Sequence, residues 1–95
     1  MAAYVIADID VTDPEAYERY KALAGPSVEA AGGRYIVRGG AVTTLEGPWQ
    51  PTRVVLLEFP SVEAAEAWYE GEQYKAARDV RRGAANMRMV IVAGV

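Results

Sequence analysis

An α+β domain with the order strand, helix, strand, strand, helix, strand is predicted for this 95-residue chain, and three observations predict it. Apolar runs of strand length stand near both ends and in the middle. Between them lie two segments with apolar residues at three- and four-residue intervals, each behind a helix-capping residue. Glycine and proline clusters separate the pieces at the expected places.

The first strand, residues 1–11, runs Tyr4-Val5-Ile6-Ala7 and then alternates through Asp8-Ile9-Asp10-Val11, so its apolar start predicts cover on both faces. Thr12-Asp13-Pro14-Glu15 marks a helix start, with Thr12 and Glu15 as a capping box and Pro14 in the first turn. Tyr17, Tyr20, Ala24, Val28 and Ala31 then share a core face opposite Glu18, Arg19, Lys21 and Glu29. Gly25-Pro26 should kink or briefly break this helix, because proline lacks the donor and crowds the preceding turn. Gly32-Gly33 supplies its left-handed end.

Arg34–Arg38 reads as a short strand and residues 41–46 as a second extended piece. Gly39-Gly40 between them is either a hairpin turn or a bulge bending one long strand, and the bulge is preferred because it keeps the strand count even with the later elements. Residues 47–51, rich in proline, form a turn, and residues 52–59, with Val54-Val55-Leu56-Leu57, form the clearest central strand. Ser61 caps a helix reaching about Glu70, with Val62, Ala65, Trp68 and Tyr69 inward. Gly71 restarts a second helical piece whose Tyr74, Ala77, Val80 and Arg81 share a side, and Gly83 stops it. Residues 86–94 finish as a strand, Met87, Met89, Ile91 and Ala93 alternating with Arg88, Val90 and Val92. This order is the split βαβ arrangement of a ferredoxin-like βαββαβ fold, a four-stranded antiparallel sheet with both helices on one face. Residues 1–95 are expected to form one domain, since this length has room for a single core.

The formal net charge is −3 and the basic residues are scattered, so no stripe suited to phosphates is present and nucleic acid is not an expected partner. The apolar runs are far shorter than the ~20 residues a spanning helix needs, and no charged-then-apolar leader opens the chain, so a cytoplasmic protein without membrane partners is expected. The absence of Cys and His removes thiolate catalysis, Ser–His and Cys–His pairs, His-rich zinc sites and the usual haem ligand. No cofactor or metal is expected, and any chemistry must use carboxylates, Arg, Lys, Tyr, Trp or the backbone.

Two helices cover one face of a four-stranded sheet, yet both faces of these strands are apolar: Val5, Ala7 and Ile9 against Tyr4 and Ile6, and Val55 and Leu57 against Val54 and Leu56. Leaving several hundred Å² of such a face in water costs about 25 cal/mol per Å². The simplest cover is the same face of a second copy packed about a two-fold axis. The alternatives are a kinked terminus or a different protein.

Arg38, Glu46, Arg53 and Glu58 are charges on or beside apolar strands, where a charge must be paired or wet. They fit a pocket for a carboxylate or keto acid, with Arg38 or Arg53 as a bidentate clamp and Glu46 or Glu58 moving a proton. The plainer reading, and the one the residues favour by themselves, is a set of Arg–Glu ion pairs at the sheet edge or dimer seam. Trp49 in its proline-rich turn either walls a pocket or staples the loop onto a partner. Tyr74 and Arg81, on one helix face, either close over a cavity or cap the end of the sheet. Catalytic candidates are therefore Glu46, Arg53 and Tyr74, and ligand-binding candidates Arg38, Trp49, Glu58 and Arg81. Tyr17, Tyr20 and Trp68 read as packing. Asp8 and Asp10 lack the further oxygen ligands a cation needs, and Lys21 and Lys75 carry no surrounding signal.

Asp10-Val11-Thr12-Asp13-Pro14-Glu15, Arg38-Gly39-Gly40, Leu45-Glu46-Gly47, Trp49 with Pro51 and Arg53, Glu58-Phe59-Pro60-Ser61, and Trp68-Tyr69 before Tyr74 together resemble domain-of-unknown-function family thirteen-thirty across essentially the whole chain. The resemblance implies the dimeric α/β-barrel superfamily, a ferredoxin-like protomer and a homodimer whose two sheets face each other. That superfamily includes cofactor-independent monooxygenases, haem-degrading enzymes and ligand-sensing domains, and fold alone does not choose among them. Haem degradation fits least, because relatives with that activity usually need a His ligand. The leading expectation is a small-molecule-binding dimer for a small carbonyl or carboxylate compound, with cofactor-independent catalysis as its extension. The alternative is a non-catalytic regulatory or interaction module, which predicts a filled interior where an enzyme predicts a cavity of roughly 300 Å³ or more with convergent polar groups.

Overall fold

Alternation along the first strand decides the layering of this protein, seen here in a computed structural model that describes residues 1–95. In β1 (Ala3–Val11), Ala3, Val5, Ala7 and Ile9 are buried, while the residues between them are only partly covered. The chain continues as α1 (Pro14–Ala30), β2 (Arg34–Arg38), β3 (Arg53–Phe59), α2 (Val62–Glu70), α3 (Glu72–Arg81) and β4 (Ala85–Ala93). The strands form one antiparallel sheet in the order β2-β3-β1-β4. The fold is the ferredoxin-like one expected, with the second helical region divided at Gly71 into α2 and α3.

Helix boundaries follow local chemistry, with two corrections to the sequence reading. The N-cap of α1 is Asp13, whose carboxylate accepts from the Ala16 amide at 3.2 Å, and not Thr12. Thr12 instead donates its hydroxyl to the Gly83 carbonyl at 3.3 Å, tying the start of α1 to the end of α3. Pro26 lies inside α1 without breaking it. Proline and the Ala22 carbonyl it deprives of a donor are both on the exposed side, where water replaces the missing bond. Ser61 caps α2 as expected, accepting from the Ala64 amide at 3.0 Å.

Residues 41–46 are not a strand, which corrects the expectation of a long bent β2. After Gly39, whose amide still donates to Val54, the chain leaves the sheet and runs as an exposed loop to Thr52. The bulge falls earlier, between Tyr35 and Val37 opposite Leu57 and Leu56.

On the side facing the helices, the core joins Val5, Ile9, Val55, Leu57 and Phe59 to Val28, Trp68 and Tyr74. On the opposite side the register aligns Val37, Leu56, Ile6 and Val90 across all four strands. Val90 there is 56% exposed. Charged rows flank this apolar row: Arg34 with Glu58 at 2.6 Å, and Arg88 with Asp8 at 2.5 Å. The second apolar face expected from the sequence is therefore present at the centre of the sheet and polar at its two ends. No helix is long and apolar enough to cross a membrane.

Gly33 shows how tightly α1 returns to the sheet, since a Cβ built on it would lie 2.6 Å from Cε1 of Phe59, itself 1% exposed. Gly33→Ala is expected to destabilise the fold by about 1–3 kcal/mol through overpacking, read as a lower urea midpoint. An unchanged midpoint would show that the Phe59 ring moves aside freely.

Candidate functional site

The space between helices and sheet is lined by aromatic residues that carry hydroxyls and an indole N–H. Tyr17, Tyr20, Ala24 and Ser27 project from one face of α1 at three- and four-residue steps, Trp68 from α2, and Tyr74 and Arg81 from α3. Tyr20 and Tyr74 share a hydrogen bond of 2.7 Å between their hydroxyls. Arg81 Nη1 donates to the Tyr74 hydroxyl at 3.1 Å and lies 3.0 Å from Met87 Sδ. Trp68 stacks on Tyr74 with ring centres 4.1 Å apart and donates its Nε1 proton to Ser27 Oγ at 3.0 Å, which in turn donates to the Ala24 carbonyl at 2.6 Å. Each of these buried polar atoms has a partner, as burial requires.

Burial pushes the Tyr20 hydroxyl far above the ordinary tyrosine range, and the neighbouring Tyr74 adds to the effect. Burial also raises Tyr74, against the hydrogen bond from Tyr20 and the nearby charge of Arg81, which act the other way. These phenols stay neutral at physiological pH, so they serve as hydrogen-bond donors and not as bases.

A second cluster stands where α1 meets β2 and β3. The Arg38 guanidinium lies 4.2 Å from the centre of the Tyr35 ring, and that of Arg53 5.4 Å from the Tyr17 ring, to whose hydroxyl its Nε donates at 3.1 Å. Lys21 Nζ lies 5.9 Å from the same Tyr17 ring. Burial raises the Tyr35 hydroxyl too, partly offset by Arg38. Lys21 is bridged to Glu18 at 3.0 Å, but neither Arg38 nor Arg53 meets a carboxylate. Gly39, at φ +75°, packs against the Arg53 guanidinium so closely that a Cβ would collide with it.

Two hollows adjoin beneath the helices. A groove of about 490 Å³ opens along β4, walled by Trp68, Tyr69, Met87, Met89 and Ile91, with Arg81 its one charged side chain. A narrow hollow of about 30 Å³, room for about one water, leads from the Arg38–Arg53 cluster inward over Ala7, Val55 and Leu57. The groove is open to solvent with Arg81 as its one charged side chain, and the inner hollow falls far below the roughly 300 Å³ expected of an enzyme's cavity.

The seven sequence-predicted residues fall into separate places. Arg38 and Arg53 come together, as do Tyr74 and Arg81, all on the helix side of the sheet. Glu58 faces the other side, paired with Arg34 and 3.4 Å from the Tyr4 hydroxyl, so it takes the ion-pair role and is not beside Arg38 and Arg53. Trp49 also lies on that open side, donating to Asp8 Oδ2 at 3.1 Å, and so staples its loop to its own sheet. Glu46 is exposed on the loop beside Leu45, away from both hollows. Asp8 and Asp10 belong to no group of acidic residues able to hold a metal ion. Tyr35 and Lys21 were missed, although the Tyr17–Lys21 spacing of four already put the lysine beside that ring.

With the Tyr20 and Tyr74 hydroxyls raised in the folded protein, the unfolded chain ionises first. Their contribution to stability is complete below about pH 10 and declines as pH rises beyond it, at about 1.4 kcal/mol per pH unit for each such tyrosine. Absorbance at 295 nm should show these two phenols ionising only as circular dichroism reports unfolding. Tyr20→Phe should flatten this alkaline loss, and an early, reversible ionisation in the native state would contradict the buried pair.

The fold recurs in solved structures. A protein of unknown function from Rhodopseudomonas palustris superimposes with a TM-score of 0.79 at 23% identity, over 99% of this chain and 82% of that one. A dimeric ferredoxin-like protein of unknown function from Thermobifida fusca gives 0.65 at 15%, over 99% and 92%. SnoaB, a cofactor-independent oxygenase from Streptomyces nogalater, gives 0.64 at 11%, also over 99% and 92%. At these identities the likeness concerns the fold alone. Comparison with curated proteins returns no match. The family model described as Domain of unknown function (DUF1330) matches residues 2–95, almost the full length over which the sheet, the aromatic interior and the arginine cluster are built, and the protein belongs to that family.

Proposed function

We propose that this protein is a homodimer that binds a small carboxylate- or carbonyl-bearing compound beneath its helices, with Arg38 and Arg53 as the clamp. The observation that carries the reading is a pair of guanidiniums at the mouth of an apolar recess, stacked on Tyr35 and Tyr17 with no carboxylate to neutralise them. Arg53 spends its Nε on Tyr17 and keeps both Nη groups for a bidentate partner. Gly39 leaves the space those Nη groups occupy. Low-dielectric walls strengthen the attraction for an arriving anion.

Cofactor-independent chemistry is the extension of this reading. A carbonyl held by Arg53 is polarised, whereas Tyr74 lines neither hollow and has its hydroxyl engaged by Tyr20 and Arg81, so its part is to hold those side chains in place. Glu46 has no place in the protomer's recess, so proton transfer by Glu46 requires the loop of a second copy to carry it there. The shared fold with a cofactor-independent oxygenase is an analogy in this direction, whereas the nearly filled inner hollow favours the alternative of a non-catalytic module.

The dimer reading rests on the row of Val37, Leu56, Ile6 and Val90, which the helices leave uncovered, and on the dimeric state of the Thermobifida fusca protein. Isologous packing of that row would cover it in both copies.

Calorimetric titration with acetate, pyruvate and benzoate is expected to show binding that Arg53→Met weakens by about tenfold or more, the worth of a charge-assisted hydrogen bond. Equal affinity in the variant would overturn the clamp. In sedimentation at micromolar concentration the native chain should be a dimer and Leu56→Lys a folded monomer. A monomeric native chain would sink the assembly.

A further inference from the structure

The narrow hollow and the open groove share four walls, Val5, Trp68, Met87 and Met89, so they adjoin under the helices. Their floor follows the register of the sheet. One row runs Arg38, Val55, Ala7, Met89 from β2 to β4, and another runs Arg53, Ile9, Met87 from β3 to β4. Each begins at a guanidinium and ends at a thioether. Crossing from β3 to β4 takes two inter-strand spacings, roughly 10 Å.

We propose that the compound bound at Arg38 and Arg53 is amphipathic, a carboxylate head carrying an unbranched apolar tail that crosses the sheet over Ala7 and ends in the groove beside β4. This inference rests on the carboxylate clamp proposed above and names the class of ligand the clamp receives.

Three observations specify the tail. Seven of the eight residues lining the groove are hydrophobic, and the exception, Arg81, already has Nη1 engaged by Tyr74 and Met87, so the far end of the ligand meets an apolar surface. The neck, at about 30 Å³, has room for about one methylene, so a tail enters it by moving side chains aside, which the thinnest apolar body, a methylene chain, demands least. Its small size comes with small or yielding walls: Ala7 on the floor, Ala24 on the roof, and Met87 and Met89, whose unbranched side chains swing at little cost. A polar tail would leave its own hydrogen bonds unmade among these groups. A branched or aromatic tail would have to push Trp68 off Tyr74, breaking a stacked pair and the bond to Ser27.

The test is a calorimetric series of acetate, butanoate, hexanoate, octanoate and decanoate on the native protein, with Arg53→Met and Met89→Trp as variants and Ala7→Val as a second way to narrow the passage should the tryptophan variant fail to fold. Affinity is expected to rise with each methylene that enters, by up to about fourfold. Arg53→Met should weaken the whole series alike. Met89→Trp or Ala7→Val should leave acetate and butanoate unchanged and abolish the gain for octanoate and decanoate. Binding of short acids with no gain from length would overturn the tail and leave the clamp standing, whereas no binding at any length would overturn both. A length dependence that survives both narrowing variants would place the tail elsewhere, for instance on the open sheet face, and would also overturn the passage.

Discussion

The central strand must serve two faces at once, and the arrangement of the whole protein follows from how it does so. β1 pairs with β3 on one side and β4 on the other, so each of its residues sets a row across the sheet. Ala3, Val5, Ala7 and Ile9 form the floor under the helices, and Tyr4, Ile6 and Asp8 form the opposite face. Because side chains alternate, a slip of one residue would exchange the two sets. It would put Asp8 against α1 and Val5 in water, a far larger penalty than any single contact here could offset. The register of β1 therefore fixes which rows are greasy, which are charged, and where the cations meet the methionines.

The layer above that floor is unusually rich in polar atoms for so small a core. Tyr17, Tyr20, Trp68, Tyr74 and Ser27 are all buried, and each brings a polar group that needs a partner. They satisfy one another, with help from Arg81, Arg53 and one helix carbonyl. The aromatic rings also explain how unpaired cations are tolerated at the edge: the faces of Tyr17 and Tyr35 carry partial negative charge, which supports a guanidinium without supplying a formal anion. A carboxylate neighbour would have satisfied these arginines fully. The rings hold them in place and leave their outward donors available.

Strand and helix identity was legible in the sequence because periodicity and caps are local. Ser61, Pro14, Gly71 and the alternation of residues 86–94 each acted where they stood. The failures were local signals overruled by distant ones. Thr12 lost the cap to Asp13 because its hydroxyl is used on Gly83, which is 71 residues away in sequence. Residues 41–46 look like a strand, but β3 begins at Arg53 and its ladder with β2 ends at Gly39 and Val54, so a continued β2 would run past the start of its partner. Of the candidate site, Arg38 with Arg53 and Tyr74 with Arg81 were legible as charges or polar groups on apolar faces. Glu58 and Trp49 were equally conspicuous and landed on the other side of the sheet, since which face a strand-end charge takes depends on register. The hollows were not legible at all, because a void arises where small residues from different elements meet, as Ala7 and Ala24 do.

The sheet also separates two roles that small proteins often have to combine on one surface. Groups proposed for ligand binding lie on the helix side, and the apolar row proposed for assembly lies on the other, with only backbone and the thickness of β1 and β3 between them. Trp49 sharpens this division. Its indole covers the end of the open face near Asp8 and Arg88, leaving the central row of Leu56 and Ile6 as the apolar surface still to be buried. Substitutions on the two faces share no side-chain partner, so their effects on association and on binding should add rather than couple. Coupling would arise only through the 39–52 loop, which starts at Gly39 against the Arg53 guanidinium and reaches Trp49 on the opposite face. That loop is therefore the one segment through which the proposed second copy would affect the binding proposed at Arg38 and Arg53.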